Sequence, residues 1–381
     1  MSVCARRLSR DLGVGSFLRR RFKQLFWLSA VSVVIAAVLP GCSPLYVLRA
    51  AYEEGKILWR REPISDFVDS AGVQADTQEK LKLVLAVRKY ARDVLKFKVG
   101  GSYSSYSRVD RPDLTYIVMA APKTELKSYT WWFLIIGNVP YKGFFSRQDA
   151  EAEIDRLKAE NYDTMMRTSA AFSTLGWFDD PLLSHLLRYD KVVLAGIIFH
   201  ELFHNTLYVN GAGAFNESAA NFVGNRAAID FFRDRFGTES KEYARAVQIW
   251  DHEREFGRFI NQVADTLRGL YRRDIPRADK LRLREEVFAR SQEEWQRYLA
   301  DHPDQSFRRF SQRSLNNAVL MNYLVYLTQI DTFESLYAAN ANDLSRTVEA
   351  MRSAVGKGGE PFEAVRQWLD KHRQQTAAIA D

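Results

Sequence analysis

Cysteine is almost missing from this chain: Cys4 and Cys42 are the only two in 381 residues. A disulfide framework is therefore excluded, and so is a metal centre built on cysteine thiolates. Histidine is scarce too, at six residues. An excess of one charge sign is absent over most of the length. The chain carries 54 basic against 47 acidic groups, a net of +7, but Arg6, Arg7, Arg10, Arg19, Arg20, Arg21 and Lys23 against Asp11 put +6 of that into residues 1–41. Residues 42–381 keep 47 basic and 46 acidic groups, which leaves no basic footprint for nucleic acid. Internal repeats and low-complexity tracts are absent as well. What is present is apolar material, 46% hydrophobic and 13% aromatic, enough to bury a sizeable core in one large domain or two.

An uncharged apolar run, Leu25 to Leu39, spans fifteen residues. That is short for a bilayer and suits the core of a signal peptide behind a basic start. It ends in Leu39-Pro40-Gly41-Cys42, and small residues ahead of a cysteine at that place resemble the bacterial lipobox. The resemblance implies a signal peptide over residues 1–41, lipidation of Cys42 and attachment to a membrane through that lipid. Ser43, not an aspartate, follows the cysteine, which implies the outer membrane of a Gram-negative cell with the protein facing the periplasm. An uncleaved N-terminal anchor is the alternative. Both readings place the bulk of the chain in the cell envelope.

Beyond this leader, Leu45 to Trp59 reads as a helix broken by Pro63. Thr77 is the expected cap of a second helix in which Leu81, Val84, Leu85, Val87, Tyr90, Val94 and Leu95 recur at helical spacing. Between Gly100 and Phe145 the pattern shifts to strands at Tyr116–Ala121 and Trp131–Ile136, bounded by Gly, Pro and Lys. A helix over Ser146 to Asn161, capped by Ser146, and a short strand over Thr168 to Trp177 follow. From about Lys191 nearly every segment is helical, broken at Gly211–Gly213, Gly237, Pro276, Pro303 and Gly356–Pro361. The charge-rich helices Ser240–Arg273 and Lys280–Leu299 read as solvated faces. The expected fold is a mainly helical α+β domain holding a small mixed sheet, in one unit over residues 42–381. Its active-site helices lie at about 190–232 and a helical C-terminal part at about 240–381.

The segment Ile197-Ile198-Phe199-His200-Glu201-Leu202-Phe203-His204 contains the pattern H-E-x-x-H. Its two histidines stand four residues apart and share one helix face, so both can reach a single metal ion. Apart from Glu201, no charged residue lies between Val192 and Val209, so this helix is expected to be buried. Two histidines and a glutamate are costly to bury unless a zinc ion satisfies them. Glu201 is then the general base. A catalytic zinc takes three protein ligands. Gly211-Ala212-Gly213 can turn the chain so that a second helix opening near Asn216 brings Glu217 back to the histidine pair, with Asp230 or a distant histidine as the next candidates. Asn221, one turn on, is placed to orient a ligand. Tyr208, Tyr141, His185, Tyr323 and Tyr326 each qualify as the donor to a developing oxyanion, and the sequence does not choose among them.

These residues, His200-Glu201-Leu202 with His204 and then Phe215-Asn216-Glu217-Ser218, resemble a bacterial family known as putative aminopeptidases. The likeness extends to Gly101-Ser102-Tyr103, Val139-Pro140-Tyr141-Lys142-Gly143-Phe144-Phe145, Ser173–Pro181 and Asn316-Asn317-Ala318. The Asn216-Glu217 pair is also similar to that of the gluzincin peptidases. This implies Glu217 as third ligand and a zincin-like fold with two helices below a small sheet. Twelve residues separate His204 from Glu217, a shorter connector than in familiar gluzincins. The function so implied is zinc-dependent peptide hydrolysis, as an aminopeptidase acting on a peptide or protein substrate. An envelope endopeptidase using the same site and a zinc-binding lipoprotein scaffold without turnover are the alternatives. Activity on amino-acid amides separates the first two. Asp179, Asp180 and Glu125 are the acids on hand for a substrate's free amine, and that role stays unassigned.

Overall fold

Leu81, Val84, Val87 and Ala91 recur every three or four residues, and they bury one face of the first long helix, α1 (Ala75–Asp93). The structure is a computed structural model that describes residues 52, 55–70, 72–109, 115–133, 137–169 and 179–380. The leader, Cys42 and most of the helix expected from Leu45 lie outside these residues, although 55–59 are helical. Helix α1 opens at Ala75, two residues before the expected cap. Thr77 falls inside the first turn, where Asp76 faces the helix dipole and pairs with Lys80 at 2.9 Å. Charge, not a hydroxyl cap, supports that end.

Strands form three small sheets. In the first, β1 (Glu62–Pro63) pairs antiparallel with β2 (Ser105–Ser107), which pairs parallel with β8 (Leu182–Leu183). In the second, β3 (Thr115–Pro122) is flanked by β6 (Lys142–Phe144) and β7 (Tyr162–Ser169), both antiparallel to it. The third is the hairpin of β4 (Trp131–Phe133) and β5 (Gly137–Val139). Period-two alternation sorts the faces of β3. Ile117, Met119 and Ala121 join the large core, while Val118 and Ala120 pack with Trp131, Phe144 and Leu157 beneath α2 (Arg147–Ala159). Ser146 caps α2 as expected. Asn161, with φ of 68°, turns the chain directly into β7. That strand therefore starts at Tyr162, ahead of the expected Thr168, and residues 170–178 lie outside the description.

The remainder is helical: α3 (Lys191–His204), α4 (Gly213–Phe236), α5 (Lys241–Arg272), α6 (Arg277–Asp301), α7 (Asn317–Leu327), α8 (Ile330–Ala339), α9 (Leu344–Val355) and α10 (Pro361–Ala380). The largest core cluster draws on α1 and α3–α10. Two neighbouring asparagines lock sheet to helices. Asn316 caps α7 at Val319 and donates to the Thr164 carbonyl, while Asn317 donates to the Pro122 carbonyl. The result is a mainly helical α+β fold with small mixed sheets. Among the described residues, no helix is long and apolar enough to cross a membrane.

Candidate active site

Helix α3 begins where the Asp190 carboxylate accepts the amides of Val192 and Val193, each at 2.9 Å. It ends at His204, short of the apolar run to Val209 that the sequence suggests. The Asn216 side chain takes both the Val209 amide and carbonyl, at 2.8 Å each, and so draws that residue out of helical register. The same asparagine, almost fully buried, clamps the connector that lets α4 return antiparallel. His200 and His204 meet Glu217 at one end of the crossing, and Gly196 meets Gly224 further along.

The crossing gathers three donors. His200 Nε2 lies 3.2 Å from His204 Nε2 and 3.4 Å from Glu217 Oε2, and His204 Nε2 lies 3.9 Å from Glu217 Oε1. Donors about 2.0–2.2 Å from a tetrahedral ion stand roughly 3.3–3.5 Å apart, so this set fits one ion with little movement. All the donor atoms fall within 4.8 Å of one another. The group can hold a metal ion, and Asp230 does not compete. It pairs with Arg233 at 2.7 Å on another face of α4.

Electrostatics favour the same reading. Burial pushes the His204 imidazole down to about 4, against the pull of Glu217, so at neutral pH it is uncharged and its lone pair is free for a metal ion. Burial also disfavours a His200 cation, but its hydrogen bond to Glu217 and the charges of Glu201, Glu217 and Glu253 outweigh that and raise it. Glu217 is driven up by burial and further down by the two histidines and Arg167, so it stays ionised. Two neutral-capable nitrogens and one carboxylate are a donor set that zinc accepts.

Residues 45–360 match the family described as "Putative aminopeptidase". The chain belongs to that family. Comparison with curated proteins and with solved structures gives no match. In this aminopeptidase-family protein the donors open onto a cleft of about 710 Å³ that Glu201 also lines. Of the expected oxyanion donors, Tyr141, Tyr208 and Tyr326 line it, whereas Tyr323 stacks edge-on against Phe256 at 5.0 Å and His185 lies in the Ser184–Arg188 turn. Asp179 is spent on the Gly101 amide at 2.7 Å, and Glu125 meets Asn317 through its carbonyl. Neither they nor Asp180 line the cleft.

Two cleft residues escape the sequence reading. Arg167 of β7 reaches over to Asn322 and to the Tyr326 hydroxyl, at 3.0 and 3.1 Å. Glu253 lies on α5, which its charges mark as a solvated face, yet it lines the cleft. It does so because it occupies the buried stripe Ala246, Trp250, Gly257, Ile260, Ala264 and Leu267, spaced alternately by three and four. That periodicity is the signal that exposes it. Asn221 serves Glu253, at 2.6 Å, and the Tyr326 carbonyl, so its amide is directed to these and not to the donor group.

Proposed function

We propose that this protein is a zinc-dependent aminopeptidase that hydrolyses peptides with Glu201 as general base. The observation that carries the reading is the convergence of His200, His204 and Glu217 on one point of a cleft that Glu201 shares. Zinc held there would lower the pKa of a water molecule and polarise the scissile carbonyl. Glu201 takes the proton of that water and passes it to the leaving amine. Tyr326 donates to the oxygen that gains charge. Its hydroxyl already accepts from Arg167, so its own proton is available, and burial with Glu217 nearby keeps it protonated well beyond neutral pH. Tyr141, partly buried and near Glu217 and Glu201, flanks the substrate.

The gluzincin-like arrangement, the lipid anchor at Cys42, an outer-membrane location facing the periplasm and a peptide or protein substrate belong to this proposal. The test is metal content and peptide hydrolysis of the detergent-solubilised protein. One zinc per chain is expected, with metal lost in Glu217→Ala, turnover abolished but zinc kept in Glu201→Gln, and kcat lowered about 100-fold in Tyr326→Phe. Wild-type protein that binds no zinc would overturn the reading.

A further inference from the structure

Three acids line the cleft: Glu201, Glu217 and Glu253. The first two are taken up by the reaction just described, and the third makes no ion pair among the described residues. Glu253 Oε2 accepts the Asn221 amide at 2.6 Å and the Asn225 amide at 3.2 Å. Among the described residues no donor reaches Oε1. The cations that line the cleft are engaged elsewhere, Arg167 with Asn322 and Tyr326 and Arg245 with Gln248. A carboxylate held in place by two amides, turned to a cavity and without a counter-ion is costly to keep ionised. Burial accordingly pushes its carboxyl up to about 7, against the help of both asparagines and His200. Such a group is built to receive a cation from outside.

We infer that Glu253 binds the free α-ammonium group of the peptide substrate and thereby makes the cleft an exopeptidase cleft. This rests on the peptidase reading above. Position supports it. Asn221 follows Glu217 by one turn of α4, about 6 Å, and Glu253 hangs on Asn221. The carboxylate therefore sits one turn from the donor group, and the amine of an N-terminal residue is only two bonds from its carbonyl carbon. Ile197, Ile249 and Phe307 line the same cleft and suit an apolar first side chain. Glu253 thus selects a substrate with a free N-terminus and sets its register over the scissile bond. It takes no proton in the reaction.

The test compares zinc-loaded wild type with Glu253→Gln, which preserves shape and can still contact both asparagines. Leucine p-nitroanilide and its N-acetyl derivative serve as substrates, and leucinamide binding is followed by calorimetry. Wild type is expected to favour the free amine, and in Glu253→Gln the ratio of the two kcat/KM values collapses by on the order of 10- to 100-fold with zinc content unchanged. Equal losses on both substrates, or loss of zinc, would overturn the inference and make Glu253 a positioning residue for His200. Zinc-loaded wild type that cleaves neither substrate would end the peptidase reading alone. Leucinamide affinity weakened ten-fold or more by Glu253→Gln would then still uphold the amine site, and unchanged or absent binding would remove it.

Discussion

Gly224 of α4 lies flat against the backbone of His200 in α3: a Cβ there would stand 3.0 Å from the His200 amide nitrogen and 2.9 Å from the Gly196 carbonyl oxygen. Both neighbours are helix backbone and cannot turn aside. Glycine at 224 is therefore what lets the two helices close until Glu217 comes within 3.4 Å of His200. Gly224→Ala forces them apart by several tenths of an ångström and costs about 1–3 kcal/mol of overpacking. Zinc affinity, measured by competition with a chromophoric chelator, is expected to fall at least ten-fold. An unchanged affinity would show that the approach of the helices does not set the metal site.

Asn216 gives a second lever on the same geometry, through the connector and not through the helices. Replacing it with alanine leaves the Val209 amide without a partner and its carbonyl with the Ala212 amide alone, and costs about 1–2 kcal/mol. Residues 205–212 then become open to limited proteolysis. Asn216→Asp keeps the acceptor but loses the donor and adds a charge next to Glu217 in sequence, so it is expected to be no better than alanine. Cleavage at the wild-type rate in both variants would contradict the clamp.

Away from the site, Arg284 of α6 enters the core to meet Asp163 of β7 at 2.7 Å, and both are nearly fully buried. Asp163 also accepts the Asn317 amide at 3.0 Å, so one carboxylate joins strand and two helices. Lys123 stands 3.5 Å from Asp163 and Glu285 stands 2.9 Å from Arg284, both more exposed, so removing one member leaves the other a weaker counter-ion, and Asp163→Ala or Arg284→Met should each cost about 3 kcal/mol in denaturant unfolding, the low end for a buried pair. The double variant Asp163→Leu with Arg284→Met should recover a large part of that loss. A double variant as unstable as the sum of the two singles would show that the pair acts through its hydrogen bonds to backbone.

How much of this was legible from residues alone depended on whether the signal was local. His200 and His204 are readable because four residues make one helical turn, and Glu217 because two glycines and a new helix must return the chain. Ser146 and Asp190 act within three residues of themselves, so both caps are local signals, as the expected cap at Ser146 shows. Thr77 misled because a hydroxyl cap and a charged first turn compete for the same helix end. Arg167 was invisible because pairing along β3 delivers it to the cleft, and no sequence interval encodes that pairing. Glu253 was hidden by its own helix. A carboxylate among many charges looks solvated until its place in the apolar stripe is counted.

Glu253 also makes the stability of the metal-free protein depend on pH in a definite direction. Its carboxyl titrates near 4.5 in the unfolded chain and is pushed up to about 7 in the fold, chiefly by burial. Between those values the folded state binds more protons than the unfolded one, so the contribution of this group to stability falls as pH rises through the window and levels off above about 7. The full effect is on the order of 3 kcal/mol at most. His200, also raised, loses stability with rising pH, while Glu217, lowered, loses it with falling pH. The Glu253 contribution is therefore read as a difference. In chelator-treated protein, Glu253→Gln should be close to wild type in stability near pH 5 and more stable than wild type at pH 8. Parallel stability curves for the two proteins across pH 5–8 would mean that the Glu253 carboxyl ionises at an ordinary value, with a counter-charge already beside it.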